Sequence, residues 1–289
     1  MKVSFYFFLL FFIFSSCSQK NESLKKAYKL PKKLKEVSGI AFSKQLTWVI
    51  EDSGNKNHIY GLNAKGAIER EITVSSRKNI DWEDLATDNS DNLYIGDFGN
   101  NANIRKDLAI YILNNNEFEK EKKTSKKITF NYPEQKEFPP KKTNLLFDCE
   151  AFFEWKNHFY LFTKNRSKDF DGTTLIYRIT NQEGNQKATL LTRFKTCNNS
   201  KNCTITSASI SPNGKKVVLL SYDAVWLFEN FKADDFTNGT MTKLELNHVS
   251  QKEAICFKDE NTLLIADEKN KKNGGNVYEV KLNDLKLKS

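Results

Sequence analysis

Histidine, long apolar runs and helical periodicity are what this chain has least of. Three histidines are spread through 289 residues, none close to a cysteine, so no Cys/His metal or catalytic pair is on offer. No Gly-x-Ser-x-Gly elbow occurs, which argues against a serine nucleophile on a strand–turn–helix. No stretch sustains a 3.6-residue apolar period. Short alternating runs bounded by Asn, Asp, Ser and Gly take its place, the pattern of an all-β chain. Charge is plentiful but scattered: the formal net charge is +9, with lysines throughout in short runs such as Lys32-Lys33 and Lys271-Lys272. Without a basic stripe interleaved with aromatics, that charge marks a solvated surface and gives no support for a nucleic-acid partner.

The sustained apolar run at 5–14 has the length of a signal-peptide core and is short for a bilayer-spanning helix. Behind Lys2 and ahead of Ser15-Ser16-Cys17, it resembles the leader and lipobox of bacterial lipoproteins. That resemblance implies a signal peptide at 1–16, acylation of Cys17, a lipidated tether at 17–26 and one domain at 27–289. The expected location is the bacterial cell envelope, at the outer membrane or cell surface, with the protein membrane-anchored through its lipid and monomeric. In such an oxidising compartment Cys197 and Cys203, which flank a short polar loop, are placed to close as a disulfide. Cys149 and Cys256 lie among apolar neighbours and are expected as buried thiols.

What the chain does have is a repeat. Asp81-Trp82-Glu83-Asp84-Leu85-Ala86-Thr87, a polar turn, then Leu93-Tyr94-Ile95-Gly96-Asp97 reads as strand, turn, strand. The unit recurs at Ser38-Gly39-Ile40, Glu150-Ala151-Phe152, Ser207-Ala208-Ser209 and Glu253-Ala254-Ile255. In each, 14 residues (15 in the fourth) separate the first position from a polar residue ending the second strand. Further strands extend the units over 36–74, 82–132, 145–194, 204–247 and 251–282. The last is short by one strand, and a spare strand lies at 28–34. This is the pattern of a five-bladed β-propeller with four-stranded antiparallel blades, closed by its N-terminal strand. The alternative, six blades, would need a blade in the charged segment 114–147.

In a propeller the first strand of each blade lines the central channel. The equivalent positions are Ser38, Glu83, Glu150, Ser207 and Glu253, in strands otherwise built for burial. Three carboxylates on one axis repel unless a cation neutralises them. A donor set of carboxylate and hydroxyl oxygens suits Ca²⁺; the competing picture is a water-filled channel with these groups bonded to backbone. The second-strand column, Asp52, Asp97, Lys164, Tyr222 and Asp267, is expected at one channel mouth. Asn55, Asn100, Asn101, Arg105, Asn165, Arg166, Asp223, Glu268 and Lys269 are expected around it. Together they form a candidate site for a small polar or anionic ligand or a cell-envelope partner, with Asp52 and Asp97 as candidate catalytic residues.

The motifs Glu36-Val37-Ser38, Trp82-Glu83-Asp84-Leu85-Ala86, Asp148-Cys149-Glu150-Ala151, Thr206-Ser207 and Lys252-Glu253-Ala254-Ile255 resemble, in order, the inner strands of the calcium-activated nucleotidase (apyrase) family. They are also similar to those of uncharacterised secreted bacterial propellers. The resemblance implies a five-bladed propeller with central Ca²⁺ and hydrolysis of nucleoside phosphates. The phosphate-binding part departs from that pattern, with Lys164 and Arg166 as the cations in place. Three readings follow: a ligand-binding propeller lipoprotein with a central Ca²⁺, a Ca²⁺-dependent phosphohydrolase, or a Ca²⁺-dependent lactonase or esterase.

Overall fold

The computed structural model describes residues 24–75, 77–115 and 122–287; the expected signal peptide and Cys17 lie outside them. The chain enters with β1 (Lys25–Lys29), which begins within the segment expected as tether. The first blade is β2 (Val37–Ser43), β3 (Leu46–Glu51), β4 (His58–Leu62) and β5 (Ile68–Ser75). The second is β6 (Trp82–Thr87), β7 (Leu93–Asp97) and β8 (Ala109–Leu113), followed after β9 (Lys122–Thr124) by β10 (Lys126–Asn131). The third is β11 (Asp148–Trp155), β12 (His158–Lys164) and β13 (Thr173–Thr180), followed after β14 (Gly184–Lys187) by β15 (Thr189–Lys195). The fourth is β16 (Ser207–Ile210), β17 (Lys216–Leu220), β18 (Ala224–Glu229) and β19 (Thr240–Glu245). The fifth is β20 (Lys252–Phe257), β21 (Thr262–Asp267) and β22 (Asn276–Lys281), after which β23 (Lys286–Leu287) ends the described chain.

Five sheets result; within each blade the four strands run antiparallel, in chain order in the first four blades. β1 supplies the fourth strand of the fifth blade, pairing antiparallel with β22. This closes the ring through the N-terminal strand, which lies at 25–29 and not at the expected 28–34. Three short strands decorate outer edges: β9 lies parallel to β5, β14 parallel to β10, and β23 antiparallel to β19. The segment 114–147 therefore forms no sixth blade among the described residues. It extends the first blade's edge and completes the second.

The innermost strands β2, β6, β11, β16 and β20 pack in a closed ring. Alternation along each strand sends successive side chains to opposite neighbours. Trp48 and Ile50 of β3 join the apolar cluster shared with the second blade, while Val49 joins the cluster shared with the fifth. The same rule gives one apolar cluster at every blade–blade contact. Each fully buried Leu, Ile or Phe is worth about 1.5–3 kcal/mol, so these wedges hold the ring together. Gly39 is required where β2 crosses β6, since a Cβ there would collide with the backbone of Asp84 and Leu85. Cys197 and Cys203 are joined as a disulfide, and Cys149 and Cys256 are buried and free.

Candidate functional site

In four blades the innermost strand slips by one residue against its partner. The slips fall between Val37 and Gly39, Trp82 and Asp84, Cys149 and Ala151, and Lys252 and Ala254. The residues squeezed out are Ser38, Glu83, Glu150 and Glu253. A bulged residue leaves the ladder and re-aims its side chain; these four line a cavity of about 240 Å³ at one end of the channel. In the fourth blade pairing begins at Ser207 with Leu220, and the Thr206 N–H reaches the Leu220 carbonyl at 3.0 Å. Thr206 therefore holds the fifth position on the cavity, and Ser207 lies one step deeper.

The second column is displaced in the same way. Asp97 and Asp267 face the residues before the bulges, Trp82 and Lys252, and are fully buried behind the cavity wall. Asp97 accepts the Tyr111 hydroxyl at 2.9 Å and pairs with Arg105 at 3.0 Å; Asp267 accepts the Tyr278 hydroxyl at 2.9 Å. Asp52, Lys164, Tyr222 and Glu268 reach the cavity. The cause is turn length. The first and third blades turn through two left-handed residues, Lys44-Gln45 and Lys156-Asn157, whereas the others use longer turns. A constant spacing therefore lands one residue early in the second and fifth units.

Of the remaining expected residues, Asn101 and Arg166 line the cavity, whereas Asn55, Asn100 and Arg105 support it from outside. The Asn55 amide donates to Glu36 at 2.8 Å. Asn100 is buried, giving its N–H to Asp148 at 2.6 Å and taking that of Arg105 on its side-chain oxygen at 2.8 Å. Asp81, Asp84, Asp148, Thr206 and Gln251 belong to the site and its support without any sequence signal that gives them a role.

Charge divides the mouth unevenly. On the third blade Glu150 is clamped between Lys164 at 3.0 Å and Arg166 at 2.6 Å, and Arg166 also holds Asp148 at 2.6 Å. Burial alone would raise the Glu150 pKa, but the two cations hold it below its ordinary value. On the first and second blades Asp52, Asp81 and Glu83 bring one carboxylate oxygen each within 4.8 Å of one another. No lysine or arginine forms a salt bridge with any of the three among the described residues. Glu83 is about nine-tenths buried and accepts no hydrogen bond there. Its pKa is driven well up, by burial first and then by Glu150 and Asp52. Asp81 is pushed up to about 6 by burial and the neighbouring Asp52. Gly99 packs directly on this pair, and any Cβ there would run into the oxygens of Glu83 and Asp81.

The fourth and fifth blades supply a third sector. The Tyr222 hydroxyl donates to Glu253 at 3.2 Å and the Gln251 amide to Glu268 at 2.6 Å. Burial pushes Glu253 up to about 7, and burial with the nearby Glu253 pushes Glu268 up to about 8. Ser38 and Thr206 spend their hydroxyl protons bridging blades, to the carbonyls of Trp82 at 2.6 Å and Lys252 at 2.8 Å. Below the mouth the Ser207 hydroxyl donates across the axis to Asp84 at 3.0 Å and accepts the Ile255 N–H at 3.1 Å, while Asp84 also accepts the Phe152 N–H at 3.0 Å. This bar ties four blades together and crosses the channel.

No protein-family profile and no curated protein matches the chain. Among solved structures it is similar to a gluconolactonase from Xanthomonas campestris, with 11% identity, a TM-score of 0.46, and coverage of 87% of this chain and 72% of that one. A likeness at that level carries no inference about activity or ligand. None of these comparisons supports the resemblance to calcium-activated nucleotidases; the strand order and ring packing make the chain a five-bladed β-propeller.

Proposed function

We propose that the channel mouth binds a divalent cation of the Ca²⁺ class through Asp52, Asp81 and Glu83, and beside it a small, polar, uncharged ligand. The observation that carries this reading is the approach of three carboxylate oxygens within 4.8 Å around a buried Glu83 that accepts no hydrogen bond among the described residues. Three like charges so close are unfavourable unless protonated or bridged by a cation, and an all-oxygen set favours Ca²⁺ or Mg²⁺ over zinc. The expected five-membered ring is a poorer holder, because Glu150 is already neutralised by Lys164 and Arg166.

The same ion pairs weigh against an anionic ligand. A phosphate would have to draw Lys164 and Arg166 away from buried carboxylates, leaving those charges unpaired at a cost of several kcal/mol. Hydroxyls and carbonyls would instead meet Asn101, Gln251 and Tyr222 at the cavity wall. The lipobox-like Ser15-Ser16-Cys17 supports placing the domain at the cell envelope on a lipid tether. A Ca²⁺-dependent lactonase or esterase is the second reading. Glu253, pushed up to about 7 and hydrogen-bonded by Tyr222, is a base poised near neutrality in the same cavity.

Calorimetric titration with Ca²⁺ tests the first reading: one site in the native protein, lost in Asp81→Asn and Glu83→Gln. A screen of lactones, simple esters and nucleoside diphosphates, with Ca²⁺ and with chelator, tests the second. Calcium-dependent turnover of an uncharged ester supports it, and turnover of the diphosphates would overturn the uncharged-ligand assignment.

A further inference from the structure

The channel has a second mouth, at the hairpin-turn ends of the innermost strands, with a cavity of about 580 Å³. That volume lies within the ~300–1,000 Å³ range of small-molecule sites. Every blade contributes an apolar group to its wall: Phe42, Leu85, Trp155, Ile210 and Phe257. The bar formed by Asp84, Ser207 and Ile255 separates it from the carboxylate mouth. Trp155 is backed by Gly214, at which any Cβ would strike the indole.

Three carboxylates line this wall: Asp88, Asp91, which accepts the Ser43 hydroxyl at 2.7 Å, and Glu154. Glu154 lines the cavity and is about nine-tenths buried. Its Oε1 accepts the Asn157 N–H at 2.7 Å, and its Oε2 accepts nothing among the described residues. Nearby charges are engaged elsewhere. Asp88 takes the N–H groups of Ser90 and Asn92 and the Tyr94 hydroxyl. Lys258 pairs with Glu279 at 2.6 Å, and Lys156 lies 5.6 Å over the Trp155 ring. Burial pushes the Glu154 carboxyl up to about 7, as befits a buried carboxylate that makes no salt bridge among the described residues, in a wall of mixed polar and apolar groups.

We infer that this cavity is a second binding site, for a small amphipathic amine whose apolar body rests on the aromatic and aliphatic wall and whose ammonium pairs with Glu154. The wall supplies affinity through buried apolar area, and the buried carboxylate selects the cationic head. The inference is independent of the cation assigned to the other mouth.

The test uses 2-phenylethylamine, with 2-phenylethanol and phenylacetate as neutral and anionic analogues, followed by calorimetry and by the NMR signal of the Trp155 indole N–H. The amine is expected to bind about tenfold tighter than the alcohol, as a charge-assisted hydrogen bond confers, and phenylacetate weakest. Glu154→Gln is expected to bring the amine down to the alcohol's affinity while leaving the alcohol within about twofold. Ile210→Trp, which fills the cavity from another blade, is expected to abolish binding of both. Equal affinities in the native protein, an amine preference surviving Glu154→Gln, binding that survives Ile210→Trp, or no binding of the amine at millimolar concentration would each overturn the assignment.

Discussion

Glu83 and Glu150 occupy the same bulge in neighbouring blades, yet their surroundings are opposite. Glu150 has Lys164 and Arg166 within hydrogen-bond reach and is held ionised. Glu83 has Asp52 and Asp81 for company, and burial first, then the charges of Glu150 and Asp52, drives it toward protonation. The backbone repeat gives both side chains the same direction; the residues on the neighbouring strands decide their charge. A ring whose backbone nearly repeats is therefore split in chemistry, one side neutralised by Lys164 and Arg166 and the other holding carboxylates without a salt-bridge partner among the described residues.

Breaking the sealed side has the largest expected effect. Lys164→Met leaves a buried Glu150 with Arg166 alone and is expected to cost about 3 kcal/mol, read from urea unfolding. The open side is expected to answer to metal if the proposed cation binds there. At a Ca²⁺ concentration about a hundred times its Kd, stability is expected to rise by about 2.7 kcal/mol, and Glu83→Gln is expected to remove that gain. In chelator the same variant, relieved of repulsion, is expected to be at least as stable as the native protein.

The contrast also has a pH signature. Asp81 and Glu253 titrate in the folded protein at about 6 and about 7, above their ordinary values of 3.8 and 4.5. Between the ordinary and raised values the folded chain binds protons that the unfolded chain has released. Their stabilising contribution is therefore complete near pH 4 and is lost as the pH rises through 6 and 7. Chelated protein is expected to show that decline in denaturant melts at pH 4.5, 6 and 8, and Ca²⁺ is expected to flatten the part due to Asp81. The smallest effect belongs to the axial bar. Ser207→Ala is expected to cost about 1 kcal/mol and to leave Ca²⁺ affinity unchanged, which separates Ser207 from the mouth position held by Thr206.

Much of this was legible in the sequence because alternation and turn residues are local signals. Five units, their order, the closing role of an N-terminal strand and four of the five ring positions follow from patterns such as Trp82-Glu83-Asp84-Leu85. The register was less legible. A hairpin that turns through Lys44-Gln45 and ones that turn through 88–92 and 258–262 shift the second strand differently, so a constant spacing puts Asp97 and Asp267 at the mouth in place of neighbouring residues, Glu268 among them. The fifth ring position failed by a single step for a related reason, since the fourth blade's ladder starts at Ser207 and leaves Thr206 outside it. The pairing of Lys164 and Arg166 with Glu150 and Asp148 depends on strand register across a hairpin; Asp148 stands directly opposite Lys164. Asp81 sits just before the second unit, where nothing in the spacing separates a ligand from a turn former. It joins the carboxylate cluster only because the fold brings Asp52 to it from another blade.

The most direct test is an anomalous diffraction map from crystals grown with Ca²⁺, or with Mn²⁺ as its stand-in. The account expects one peak off the channel axis, coordinated by Asp52, Asp81 and Glu83, with the Glu150–Lys164 pair intact. A peak on the axis sharing Glu150 and Glu253, or an empty mouth at saturating cation, would contradict it.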